Sequence, residues 1–196
     1  MRVIVGVDEA GRGPIAGPVT VAAVALLIPF DRARLGGVKD SKQISEKKRE
    51  EYRSVVEALA AEGALRFAVH STAPAVIDAQ GIVYAIKKSL AAVLEELELD
   101  APQTLVQLDG SLKAPERFVH QETIVKGDET ELPITLAGIM AKTTRDREME
   151  RLAVAYPEYS FETHKGYGTK GHYRALKEHG LCTVHRASFI HLTKDN

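Results

Sequence analysis

The apolar positions along the chain follow two periods, and each names its elements. Val3 to Val7 and Val19 to Leu27 are short β-branched runs that predict two strands. The loop between them holds Gly11, Gly13, Pro14, Gly17 and Pro18, too much Gly and Pro for a helix. Ser45 is placed to N-cap a helix running to about Ala61, in which Tyr52, Val55, Val56 and Leu59 recur at helical spacing and Gly63 supplies the stop. Leu65, Phe67 and Val69 alternate as a strand. From Pro74 to Leu99, Ile77, Ile82, Ile86, Leu90, Val93, Leu94 and Leu97 mark one long or kinked helix with Gly81 as its weak point. Thr104 to Leu108 and Thr123 to Val125 predict two more strands. Leu136, Ile139, Met140 and Thr143 begin a helix reaching about Ala155, and Tyr173 to His179, closed by Gly180, forms a short one in the tail. Strands that open as a pair and then mix with helices point to an α/β fold, a mixed sheet flanked by helices with a small helical C-terminal segment.

At 196 residues the chain suits one domain, with Pro157 as the seam between a body, 1–156, and a tail, 157–196. Its formal net charge of -1 excludes a global positive field that would recruit nucleic acid or membrane, so any such binding is local. The charge is uneven, however. Residues 163–196 carry Lys165, Lys170, Arg174, Lys177, Arg186 and Lys194 against Glu178 and Asp195, which leaves the body mildly acidic. One cysteine, Cys182, excludes a disulfide framework, and Cys182 with His185 supplies only half of a zinc site. With neither a signal-peptide pattern nor a membrane-spanning run, the expected location is the cytoplasm.

Candidate chemistry lies where strands run into acid. Val3 to Val7 ends at Asp8 and Glu9, Leu105 to Leu108 ends at Asp109, and Thr123 to Val125 is followed within three residues by Asp128. Strand ends in a helix-flanked sheet converge on one rim, so these four carboxylates are expected to meet. Asp146, three residues after Thr143, falls on the flank of its helix's apolar face and is a fifth candidate. Such a cluster is tolerable only if cations neutralise it or some members hold protons, and hard oxygen ligands select Mg²⁺ or Mn²⁺.

Two literal glycine fingerprints do not read as nucleotide sites. Gly11, Gly13 and Ala16 lead into β-branched Val19, Thr20 and Val21 instead of a helix, and only 25 residues follow Gly171 of the run Gly166, Gly168, Gly171. The first loop suits close backbone approach to a sugar hydroxyl, with Arg12 as a phosphate partner.

The run Asp8-Glu9-Ala10-Gly11-Arg12-Gly13-Pro14, continued by Ala16-Gly17-Pro18-Val19, resembles the opening signature of bacterial ribonuclease HII, the type 2 ribonuclease H. Asp40-Ser41-Lys42, Leu108-Asp109-Gly110, Lys126-Gly127-Asp128, Ala141-Lys142 with Arg145-Asp146, His164-Lys165-Gly166-Tyr167-Gly168-Thr169, and His185-Arg186 with Ser188-Phe189 follow in that family's order. The resemblance spans Val3 to about Phe189. It implies a ribonuclease H-like fold and an endoribonuclease that cleaves the RNA strand of RNA/DNA hybrids and nicks duplex DNA 5' of an embedded ribonucleotide, leaving 3'-hydroxyl and 5'-phosphate. By the same resemblance, Asp8, Glu9, Asp109 and Asp128 are expected to hold two Mg²⁺ or Mn²⁺ ions, with Asp146 a further acid beside them. Gly11, Arg12 and Gly13 are expected to read the ribose 2'-hydroxyl, Tyr167 to stack on the neighbouring deoxyribose, and Lys42, Lys165, Arg186 and Ser188 to contact phosphate. No membrane and no obligate protein partner are implied. Gly138 departs from the pattern, standing where the family usually has serine.

A hybrid-binding module without catalysis, another metal-dependent nuclease or strand-transfer enzyme of the same fold, and a nucleotide-dependent enzyme are the rival readings. Retained Mg²⁺-dependent nicking after Asp109→Asn, equal cutting of all-DNA duplexes, and ATP or NAD binding are the observations that would favour them.

Overall fold

The computed structural model describes residues 2–36, 44–110 and 112–190. Five strands form one sheet in the order β3-β2-β1-β4-β5, from β1 (Val3–Ala10), β2 (Val19–Leu27), β3 (Leu65–Thr72), β4 (Thr104–Asp109) and β5 (Gln121–Ile124). β1 and β2, and β2 and β3, are antiparallel; β4 runs parallel to both β1 and β5. The sheet is mixed and flanked by helices, as the pattern of periods implies.

Alternation along β1 sorts its residues onto two cores. Val5 and Val7, with Val106 and Leu108 of β4, pack under α2 (Pro74–Gln80) and α3 (Ile82–Glu96), where Ile77, Ile86, Leu90 and Leu94 are buried. The opposite face, including Ala10, Ala22 and Val24, meets Val56 and Leu59 of α1 (Glu46–Ala61) and Leu136, Ala137 and Met140 of α5 (Leu132–Ala155). Gly6 sets how close α5 comes. A Cβ there would lie 2.0 Å from the Pro133 carbonyl carbon and 2.1 Å from the Ile134 nitrogen, so the start of α5 rests directly on the β1 backbone.

The tail adds a third core, in which Tyr159, Phe161 and Leu176 close on Ile15, Ala16 and Met149. It holds α6 (Phe161–His164) and α7 (Lys170–His179). Among the described residues no helix is long and apolar enough to cross a membrane.

Several expected boundaries move. The long or kinked helix expected over 74–99 is two helices, divided at the expected weak point Gly81 with φ 83°, and the second ends at Glu96. α7 begins at Lys170 because the Thr169 hydroxyl caps it, accepting from the His172 amide. The last strand covers Gln121–Ile124 instead of 123–125, and a short helix, α4 (Gly127–Thr130), follows it.

Candidate active site

β1 does not stop at Val7. It continues to Ala10 because Asp8 and Glu9 stay paired with Ala22 and Val21 of β2, so both acids sit within a strand and inherit its alternation. Asp8 shares its face with Gly6 and Ala10, the side covered by α5, while Glu9 falls on the other. Since Val7 is registered with Leu108, the next pair along these parallel strands is Asp8 and Asp109, neighbours on one face. Asp109 Oδ1 accepts from the Gly127 amide at 2.8 Å, which ties β4 to α4 and delivers Asp128, completely buried, to the same place. The Thr135 hydroxyl donates to the Asp128 carbonyl at 2.7 Å and locks α4 onto α5.

The electrostatics match this crowding. Burial pushes the Asp8 carboxyl well above the usual aspartate range, and the charges of Glu9, Asp109 and Asp128 push it further. Burial also raises Glu9, against the lowering influence of Arg12. Among the described residues no three acid, imidazole or thiol side chains are already closed around an ion-sized point. The cluster is a set of facing hard oxygens under mutual repulsion, and that donor chemistry fits a divalent cation.

Asp8 and Asp128 line a cavity of about 360 Å³ with Glu9, Arg12, Gly13 and Tyr167 at its edge. The glycine loop is held from behind. Buried Arg186 donates to the carbonyls of Gly17 (2.9 Å), Arg12 (3.3 Å) and Gly11 (2.8 Å), and buried Arg145 donates to those of Pro18 (3.0 Å) and Ala16 (3.2 Å). In a trans peptide the N–H opposes the C=O, so drawing in the Gly11 and Arg12 carbonyls turns the amides of Arg12 and Gly13 outward. Gly11 itself must be glycine: φ is 89° and a Cβ would lie 2.1 Å from Arg145 Nε. Gly13, by contrast, has nothing within 4 Å of that position.

Tyr167, half-exposed, is secured through its backbone. His172 Nδ1 meets the Tyr167 carbonyl at 2.9 Å, His172 Nε2 meets His185 Nε2 at 3.0 Å, and His185 Nδ1 accepts from the Cys182 amide at 3.0 Å. That order fixes both rings as neutral: His172 carries its proton on Nδ1 and His185 on Nε2. Burial presses His172 down to about 4 and lowers His185 as well.

The other expected contacts fall differently. Arg186 has no exposed surface, and its guanidinium is spent on carbonyls, which corrects its expected place as a phosphate contact. Lys165 Nζ pairs with Glu150 at 2.8 Å, and Ser188 bonds Asp78 through both its amide and hydroxyl. Asp146, buried, is paired with Lys142 at 2.7 Å and Arg49 at 3.9 Å, and it is those two cations that line the cavity. Lys42 lies outside the described residues. Arg49 is the residue the sequence reading missed. Its position three before Tyr52, in line with Val56 and Leu59, puts it on the buried stripe of α1 and was the available signal.

A profile of the ribonuclease HII family matches residues 5–192. The chain belongs to the ribonuclease HII family. It is 43% identical over 186 residues to the ribonuclease HII of Endomicrobium trichonymphae, covering 95% of this chain and 84% of that one. To that of Idiomarina loihiensis it is 42% identical, with 95% and 94% covered. Among solved structures it resembles the ribonuclease HII of Archaeoglobus fulgidus, determined in complex with PCNA, at TM-score 0.76 and 27% identity over 98% of this chain and 97% of that one. Ribonuclease H2 of Pyrococcus horikoshii aligns at TM-score 0.71 and 26% identity, covering 95% and 93%. As a ribonuclease HII the chain is a hydrolase, an endoribonuclease acting on RNA/DNA hybrids, in a family dependent on divalent metal. Gly138, the departure from the family pattern, lies in the cavity lining.

Proposed function

We propose that Asp8, Glu9, Asp109 and Asp128 hold two Mg²⁺ or Mn²⁺ ions, and that this centre nicks duplex DNA on the 5' side of an embedded ribonucleotide as well as cutting hybrids. The observation that carries this is the placement of Asp8 beside Asp109 on one sheet face, with Asp128 close enough to raise the Asp8 pKa. Bound cations would supply water activation and charge neutralisation at the scissile phosphate, giving 3'-hydroxyl and 5'-phosphate ends.

The chain's own groups do the selecting. The outward amides of Arg12 and Gly13 donate to the 2'-hydroxyl, a group that only a ribonucleotide presents. Tyr167 stacks its exposed ring on the adjoining deoxyribose, so that the pair reads an RNA-to-DNA junction. Lys142 and Arg49, anchored by Asp146, attract the phosphate, which makes Asp146 a positioning acid beside the ligand set. The tail, 157–196, contributes to binding by supplying Tyr167 and by holding the glycine loop through Arg186. Lys165 and Ser188 reach phosphate only by leaving Glu150 and Asp78. A single free cysteine suits a reducing compartment, and ribonucleotide and primer removal in the cytoplasm is the corresponding role.

A DNA duplex with one ribonucleotide, incubated with Mg²⁺ or Mn²⁺, is expected to be nicked immediately 5' of that residue. Intact duplex with every divalent ion, or equal cutting of an all-DNA duplex, would overturn the proposal.

A further inference from the structure

Two of the tail's cations are consumed internally. Arg186 serves the glycine loop and Lys165 pairs with Glu150, so neither is available to the polyanion that a ribonuclease HII must hold. Uncommitted positive charge near the cleft also lies in the acidic body. A second cavity, of about 270 Å³, is lined by Arg12, Lys87 and Lys113 with exposed Val83 over an apolar floor of buried Ile86 and Leu112. Arg12 lines both cavities, which makes them neighbours across the glycine loop. Lys87 and Lys113 are exposed, and neither is ion-paired with any described residue. Arg12 gives one nitrogen to Glu9 at 3.3 Å and remains half-exposed.

We infer that this basic pocket, between the first turns of α3 and the segment after β4, is a docking site for a backbone phosphate of the substrate duplex. The inference rests on the proposed cleft being where the duplex lies. The occupant is set by charge and continuity: a duplex drawn over repelling carboxylates needs cations beside them, and the pocket offers three at the edge of the loop that reads the sugar. Lys87 and Lys113 grip the phosphate, Arg12 spans from it to the ribonucleotide, and the apolar floor supports the sugar.

The test is binding of a labelled RNA/DNA hybrid without added divalent ion, followed by anisotropy across a salt series. Lys87→Ala and Lys113→Ala are each expected to weaken binding at least about threefold at low salt, and to make the slope of log K against log salt shallower by about 1. Lys47→Ala, an exposed charge outside both cavities, is the control for overall field. A hybrid series with one neutral methylphosphonate at successive positions should contain one position that costs the native protein what Lys87→Ala costs, and costs that variant nothing more. Native slopes in both lysine variants, an equal change from Lys47→Ala, or no such position would overturn the inference. Because the readout is binding, a failure to nick ribonucleotide-containing DNA would refute the proposed cleavage and leave this result readable.

Discussion

The Arg186 guanidinium donates to the Gly11 carbonyl at 2.8 Å across 175 residues of sequence. The C-terminal segment is thereby joined to the glycine loop that follows β1. Three carbonyls depend on that one side chain. Leaving buried acceptors unsatisfied costs roughly 1–3 kcal/mol each, so Arg186→Ala is expected to lose about 3 kcal/mol or more in urea unfolding. Arg186→Lys, which keeps a donor, should lose less. In its folded fraction, preference for a ribonucleotide over a deoxynucleotide at the cut should fall further than cleavage of a full hybrid.

Gly11 and Gly13 separate packing from recognition. Gly11→Ala drives a Cβ into Arg145 and demands positive φ, so both the melting temperature and activity should fall. Gly13→Ala meets nothing in the protein and should melt as the native chain does. Its cost should appear in KM for ribonucleotide-containing duplex, because the added methyl stands on the substrate side.

Burial and the neighbouring carboxylates both disfavour the charged form of Asp8. Removing one charge from the cluster relieves both desolvation and repulsion at Asp8. Asp8→Asn is therefore expected to unfold at higher urea than the native chain without divalent ion, by about 1 kcal/mol, and to lose at least about 100-fold in cleavage.

Acid should loosen the Tyr167 segment. His172 and His185 are neutral in the fold, with His172 held down to about 4, whereas in the unfolded chain histidine protonates near 6.5. Their contribution is fully present above about pH 6.5 and is lost as pH falls toward 4, by up to about 3 kcal/mol for His172. Once protonated, the facing Nε2 atoms would both be donors. Urea unfolding at pH 7.5 and 5 checks this: His172→Gln should flatten the difference.

Much of this was readable from residue periods. The strands and long helices fall where β-branched runs and 3.6-residue spacing put them, and acids after apolar runs located the cluster. What periodicity could not show was depth along a strand. Asp8 and Glu9 read as lying past β1, yet pairing with Ala22 and Val21 carries the strand through them. α4 was invisible because four residues are too few to show a helical period. Arg186 carries the same charge whether it meets phosphate or carbonyl, and only burial separates the two. Asp146 likewise reads as a further acid beside the cluster, and only the fold shows its oxygens meeting Lys142 and Arg49.

If Asp8, Glu9, Asp109 and Asp128 act together as one cation site, Mn²⁺ uptake reports on them without passing through cleavage. Asp109→Asn is the informative partner, since its amide oxygen can still accept from Gly127 and preserve the link to α4. Titrating the free-Mn²⁺ paramagnetic resonance signal should show uptake by the native protein that rises in step with cleavage, and a marked loss of uptake in the variant. No uptake by the native protein, or equal uptake by Asp109→Asn, would contradict the account.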